Sequence, residues 1–196
     1  MIKAEKIKYL LVPAIGFGIG GALLGLVGTL LFQDIKIGVI LWGLFGSASL
    51  VLLENIKVYK KVLITLTGTI IWIAVIFISV LAFVGFGFAD SLPFDSKWIA
   101  TLVVPLGFLS GPLLISLFYA IALGLVLKIR MWPVFWRGTI GLFFLPIPLF
   151  GLAFENSINV ILGFLLVGTI FGLFLGWGRC RGQQLKETEA YNKEKT

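Results

Sequence analysis

Side chains that usually carry chemistry are scarce in this chain, which has no histidine and a single cysteine, Cys180. Without an imidazole, serine–histidine hydrolysis, histidine-ligated zinc or haem and imidazole proton relays lose their usual agent. One thiol makes neither an internal disulfide nor a Cys-x-x-Cys pair. Cys180 stands between Arg179 and Arg181, just past an apolar run. A reactive or lipid-modified thiol there competes with a plainer reading, a free cysteine without a role. No P-loop pattern occurs, and no acidic pair sits at helical spacing within an apolar segment. The expectation is therefore no catalytic residue, no metal site and no cofactor.

Two further groups could still form a site. Apolar runs are interrupted by prolines at Pro105 and Pro112 and again at Pro146 and Pro148. A helical proline leaves the carbonyl four residues earlier without its donor. Freed carbonyls deep in a helical bundle can line a solute or ion site. The candidate ligand site is Ser110, Gly111, Pro112, Tyr119, Pro146 and Pro148, with Ser116 and Thr139 as polar company. The competing reading is a pair of kinks that merely shape the bundle. Asp34, Asp90, Asp95 and Glu155 form a candidate outer cation patch, against the simpler account of solvated loop charges.

These residues need elements to hold them, and composition says which. Of 196 residues, 59% are apolar and 13% charged, whereas soluble domains run near about 45–50% and about 25%. Such a chain calls for lipid. About 20 apolar residues cross a bilayer as a helix, and six stretches qualify: roughly 10–32, 37–53, 62–89, 98–127, 134–154 and 158–178. The first begins like a signal peptide, but its apolar run is too long and lacks a nearby small-x-small cleavage site. Connectors are short, so neighbours form antiparallel hairpins. The predicted fold is all-α, a polytopic membrane bundle of six transmembrane helices in three antiparallel hairpins. The membrane domain covers 1–182 and a polar cytoplasmic tail 183–196. A Phe-x-Asp/Asn pattern at 32–34, 88–90 and 154–156 hints that the hairpins are tandem repeats.

Charge orients the bundle. Fourteen basic residues fall on one side, in the N-terminus, the second and fourth connectors and the tail, and two, Lys36 and Lys97, on the other. By the positive-inside rule both termini are cytoplasmic, or stromal in an organelle. The expected location is a prokaryotic plasma membrane or an organellar, thylakoid-type membrane. The net charge of +7 then serves anionic lipid, worth about 1 kcal/mol per residue near the surface, and not nucleic acid. Trp132, Trp136 and Trp177 fall at the inner boundary, where aromatic belts form. Trp42 and Trp72 lie deeper, between helices or against acyl chains.

Burying leucine gains little in lipid, so close backbone approach must hold the helices together. Gly18, Gly21, Gly25 and Gly28 share one face of the first span, and Gly168, Gly172 and Gly176 repeat the device in the sixth. Such faces serve packing inside the bundle or docking of a partner. No ionisable residue lies between the two interfaces, which argues against pumps, proton-coupled carriers and voltage sensors. The functional expectation is a non-catalytic integral membrane protein, a packing or assembly subunit of a larger membrane complex. Its partners are membrane lipids, including bound lipid, and other membrane subunits. The alternative is a solute-binding or transport module with its site between spans four and five. Six spans with both ends inside is a plan similar to the substrate-binding components of energy-coupling-factor vitamin transporters. That resemblance is one of gross architecture and implies solute binding. A lipid-modifying enzyme is the third class.

Overall fold

The computed structural model describes residues 3–28, 35–89, 111, 113–143 and 157–195. These residues form six helices and no strand: α1 (Lys3–Leu26), α2 (Ile35–Leu52), α3 (Val58–Ala89), α4 (Leu113–Leu127), α5 (Met131–Phe143) and α6 (Ser157–Lys195). Helix is the form that satisfies every backbone group within its own segment, as an apolar solvent requires.

The helix ends follow local chemistry. After α2 the chain turns at once, with the Glu54 N–H bonded to the Val51 carbonyl at 3.1 Å. Lys57 then offers its carbonyl to the Lys60 N–H at 2.9 Å as α3 begins. Between α4 and α5 only Lys128–Arg130 intervene. Lys128 has φ of 53°, the left-handed conformation that ends many helices and that glycine adopts most easily.

Three helices are long and apolar enough to cross a membrane: Lys6–Leu26 in α1, Val58–Val75 in α3 and Ser157–Lys193 in α6. This corrects the expectation of six within the described residues. The reason is length. The described apolar stretches of α2 and α4, Ile37–Leu52 and Leu113–Leu127, are shorter. α5 has 13 residues, or about 20 Å at 1.5 Å per residue. The remainder of the expected fourth and fifth spans lies outside the described residues, as does the Phe-x-Asp/Asn pattern. The expected sixth span, 158–178, lies within α6, and the helix continues beyond it. α6 runs 39 residues without a break, about 58 Å, carrying the polar stretch 183–195 as helix.

Neighbours are antiparallel. α1 packs most extensively on α6 and then on α2, α2 on α3, and α5 on α6. The centre is aromatic: Phe17, Trp72, Tyr119 and Phe171 are all buried. The Phe17 and Phe171 rings meet edge to face at 4.9 Å, and Trp42 stacks on Trp72 at 4.5 Å. Both deep tryptophans therefore pack between helices. Edge and offset ring contacts of this kind add to simple burial, and they fix the helices laterally where hydrocarbon cannot.

Candidate functional site

The two glycine faces close on each other. A side chain on Gly21 would strike the Phe164 carbonyl, one on Gly168 the Phe17 carbonyl, and one on Gly172 the Pro13 carbonyl. A Cβ on Gly25 would stand 2.7 Å from Ile161 Cα, and one on Gly176 2.5 Å from the Tyr9 carbonyl oxygen. Gly18 faces the Thr169 hydroxyl. The exception is Gly28, with open space where a Cβ would be. It lies beyond Leu26, the last α-helical residue of α1, and past the crossing. Pro13 leaves the Tyr9 carbonyl without its helical donor, and that is the carbonyl Gly176 approaches.

Tyr119 belongs to the core. Its hydroxyl is 2.7 Å from the Ser47 hydroxyl, and it accepts the Trp72 Nε1–H at 3.1 Å. One phenol thus ties α4 to α2 and α3. The Thr139 hydroxyl donates to the Phe135 carbonyl one turn back, at 2.9 Å. Ser116 is buried and its hydroxyl has no hydrogen-bond partner among the described residues. Gly111 is helical and buried. Ser110, Pro112, Pro146 and Pro148 lie outside the described residues, as do Asp34, Asp90, Asp95 and Glu155. Among the described residues, no group of three or more metal-ligating side chains comes together.

A second constellation escaped the sequence. Arg179 is 2% exposed. Its guanidinium pairs with Glu54, donates to the Leu50 carbonyl at 2.7 Å and lies 4.2 Å over the Tyr9 ring. One arginine of α6 thereby ties the start of α1 to the end of α2. Cys180, next in sequence, is buried with its thiol 4.0 Å from the Lys6 carbonyl. It is not presented at the surface as a juxtamembrane thiol would be. The only cue to the clamp was an arginine and a glutamate assigned to the same side of the bundle.

A third constellation lies outside the core. α5 and α6 form an open groove of about 390 Å3, lined by Trp132, Trp136, Arg137, Ile140, Trp177 and Arg181 among others. Arg137 stacks on Trp177, 4.3 Å from the ring centre. Trp132 and Trp136 meet edge to face at 5.2 Å. All three indoles are about half exposed. The tryptophans expected at one boundary are therefore neighbours around a single groove. Further along, Arg130 pairs with Glu189, bracing the polar part of α6.

No known protein family matches the chain, and no curated protein or solved structure matches it.

Proposed function

We propose that this chain is a non-catalytic integral membrane protein, a packing or assembly subunit of a larger membrane complex. It lies in the membrane as an all-helical polytopic bundle with both termini on the cytoplasmic side. One observation carries this reading: the aliphatic stripes of α1 and α3 point away from the molecule. Ile7, Leu11, Ile15 and Ile19 follow one another every four residues along α1, each about half exposed. On α3, Leu63, Leu66, Ile70 and Ile73, spaced three or four residues apart, are likewise about half exposed. Continuous apolar faces of that length mark contact with lipid or protein. Because the glycine faces are spent on the molecule's own α1–α6 crossing, a partner subunit would meet these aliphatic stripes.

The test is photo-crosslinking in native membranes from probes placed at Ile15 and Ile70, followed by gentle detergent extraction. Adducts with one discrete protein, co-migrating at fixed stoichiometry, are expected from at least one stripe. A lone monomer that crosslinks only to lipid from both positions would refute the subunit role.

A further inference from the structure

The groove between α5 and α6 has chemistry that bundle packing does not use. Helical spacing builds it. Trp132, Trp136 and Ile140 recur every four residues on α5, and Trp177, Arg181 and Leu185 do so on α6, so two stripes face one hollow. Arg137 and Arg181 are two cations on the same hollow, and no carboxylate among the described residues lines it. Arg137 Nε is buried and has no hydrogen-bond partner among the described residues. The neighbouring acid Glu189 is engaged by Arg130. Two like charges lining one hollow call for an anion.

The surroundings say which anion. Trp177 also borders a second hollow, of about 380 Å3, walled by Leu10, Leu173 and Phe174. That hollow is apolar and lies one turn further along α6, away from the charged end. A cationic recess and an apolar recess therefore share a wall. The pair matches an amphiphile with an anionic head and a hydrocarbon chain. A nucleic acid or a phosphorylated peptide would have no use for the second hollow. Half-exposed indoles around the head position are the usual furniture of the bilayer interface.

We propose that this groove is a binding site for an anionic phospholipid. The phosphate is held between Arg137 and Arg181 and framed by Trp132 and Trp136, and an acyl chain runs over Trp177 along Leu173 and Phe174. A guanidinium offers forked donors that suit a phosphate's oxygens. The inference rests on the membrane reading above.

Two measurements separate the inference from that reading. Alkaline carbonate extraction of native membranes asks whether the protein is integral; release into the supernatant overturns both. Native mass spectrometry of the full chain in detergent then asks for lipid preference. The probes are phosphatidylglycerol, phosphatidylcholine with the same chains, and water-soluble glycerol phosphate. The wild type is expected to retain phosphatidylglycerol over phosphatidylcholine and to ignore glycerol phosphate. Arg137→Gln with Arg181→Gln should reduce that preference about 25-fold, about fivefold per arginine. Arg137→Lys with Arg181→Lys should keep much of it. Trp132→Ala, at an exposed position, should weaken it without touching the fold. Lys57→Gln with Lys60→Gln, which do not line the groove, should leave it unchanged. An undiminished preference in the double glutamine variant overturns the site, and so does equal loss in the lysine-to-glutamine control. Glycerol phosphate bound as well as the lipid overturns the amphiphile.

Discussion

At the scale of single residues, the structure's largest commitments are two basic side chains. Arg179 is buried with its charge answered by Glu54, the Leu50 carbonyl and the Tyr9 ring. Breaking a buried pair from one side leaves an uncompensated charge, whereas replacing both partners with apolar residues does not. Arg179→Leu should therefore cost about 3 kcal/mol of stability, and Glu54→Leu added to it should restore most of that loss. Thermal melting in detergent reads both, and a double variant no more stable than the single would show that the two residues do not act as a pair. Lys128 is the other commitment. A non-glycine residue at φ of 53° carries a steric cost that glycine escapes, on the order of 1 kcal/mol. Lys128→Gly should raise the melting temperature by a few degrees, the direction expected if the α4–α5 turn keeps its shape. A fall would mean that the lysine side chain contributes more to the turn than its backbone costs. Neither residue announced itself in the sequence. Arg179 read as one of many juxtamembrane cations, and its partner Glu54 is 125 residues away. A lysine in the left-handed region has no local signature at all.

Among the elements, the α1–α6 crossing governs the bundle, and its legibility was partial in an instructive way. Glycine periodicity marked a face on each helix, since a stripe of small residues is a local property. That the two faces meet is not local, because the helices are separated by most of the chain. Gly28 continued the periodicity, yet a side chain there would meet open space, since a periodicity can outlast the crossing that uses it. The crossing predicts a sharp contrast. At Gly21 and Gly168 a side chain meets backbone carbonyls that have nowhere to move. Gly21→Ala and Gly168→Ala should each cost about 1–3 kcal/mol, the overpacking penalty exceeding the gain in helix propensity. Gly28→Ala should be neutral within about 1 kcal/mol. Melting of the three variants side by side tests this, and equal losses at all three positions would put the close contact elsewhere. The extension of α6 through residues 183–195 is marked in the sequence only by alternating lysine and glutamate, which can support a short helix. Polar helix has no apolar stripe to read, and what supports it is i to i+4 pairing such as Gln183 with Glu187, 3.4 Å apart, together with the Arg130–Glu189 brace.

For the whole molecule, the question is which way it faces, and the described contacts bear on it through charge. Arg179 gathers the beginning of α1 and the end of α2. The Arg130 N–H reaches the Gly182 carbonyl at 3.4 Å, bringing the α4–α5 turn to the same end of α6. The segments that hold most of the lysines and arginines are thus drawn together at one end of the bundle, where the sequence had assigned them to one side by alternating the connectors of its expected spans. On the membrane reading proposed above such an end would sit on the cytoplasmic face, because translocating clustered cations against the membrane potential is unfavourable, about 2.3 kcal/mol per charge per 100 mV. The consequence is measurable in a Cys180→Ser background with single cysteines at Lys60, Glu189 and Asp95. A membrane-impermeant maleimide applied to sealed cells should label only the Asp95 position, and the other two only after the membrane is opened. Labelling of Lys60 or Glu189 from outside would invert the molecule and move the tryptophan–arginine groove to the opposite leaflet, where an anionic lipid would be scarcer. Orientation and lipid recognition are therefore one claim at two scales: Arg179 and Arg130 gather the bundle's end, and Arg137 and Arg181 on the groove beside it carry the charge offered to the inner leaflet.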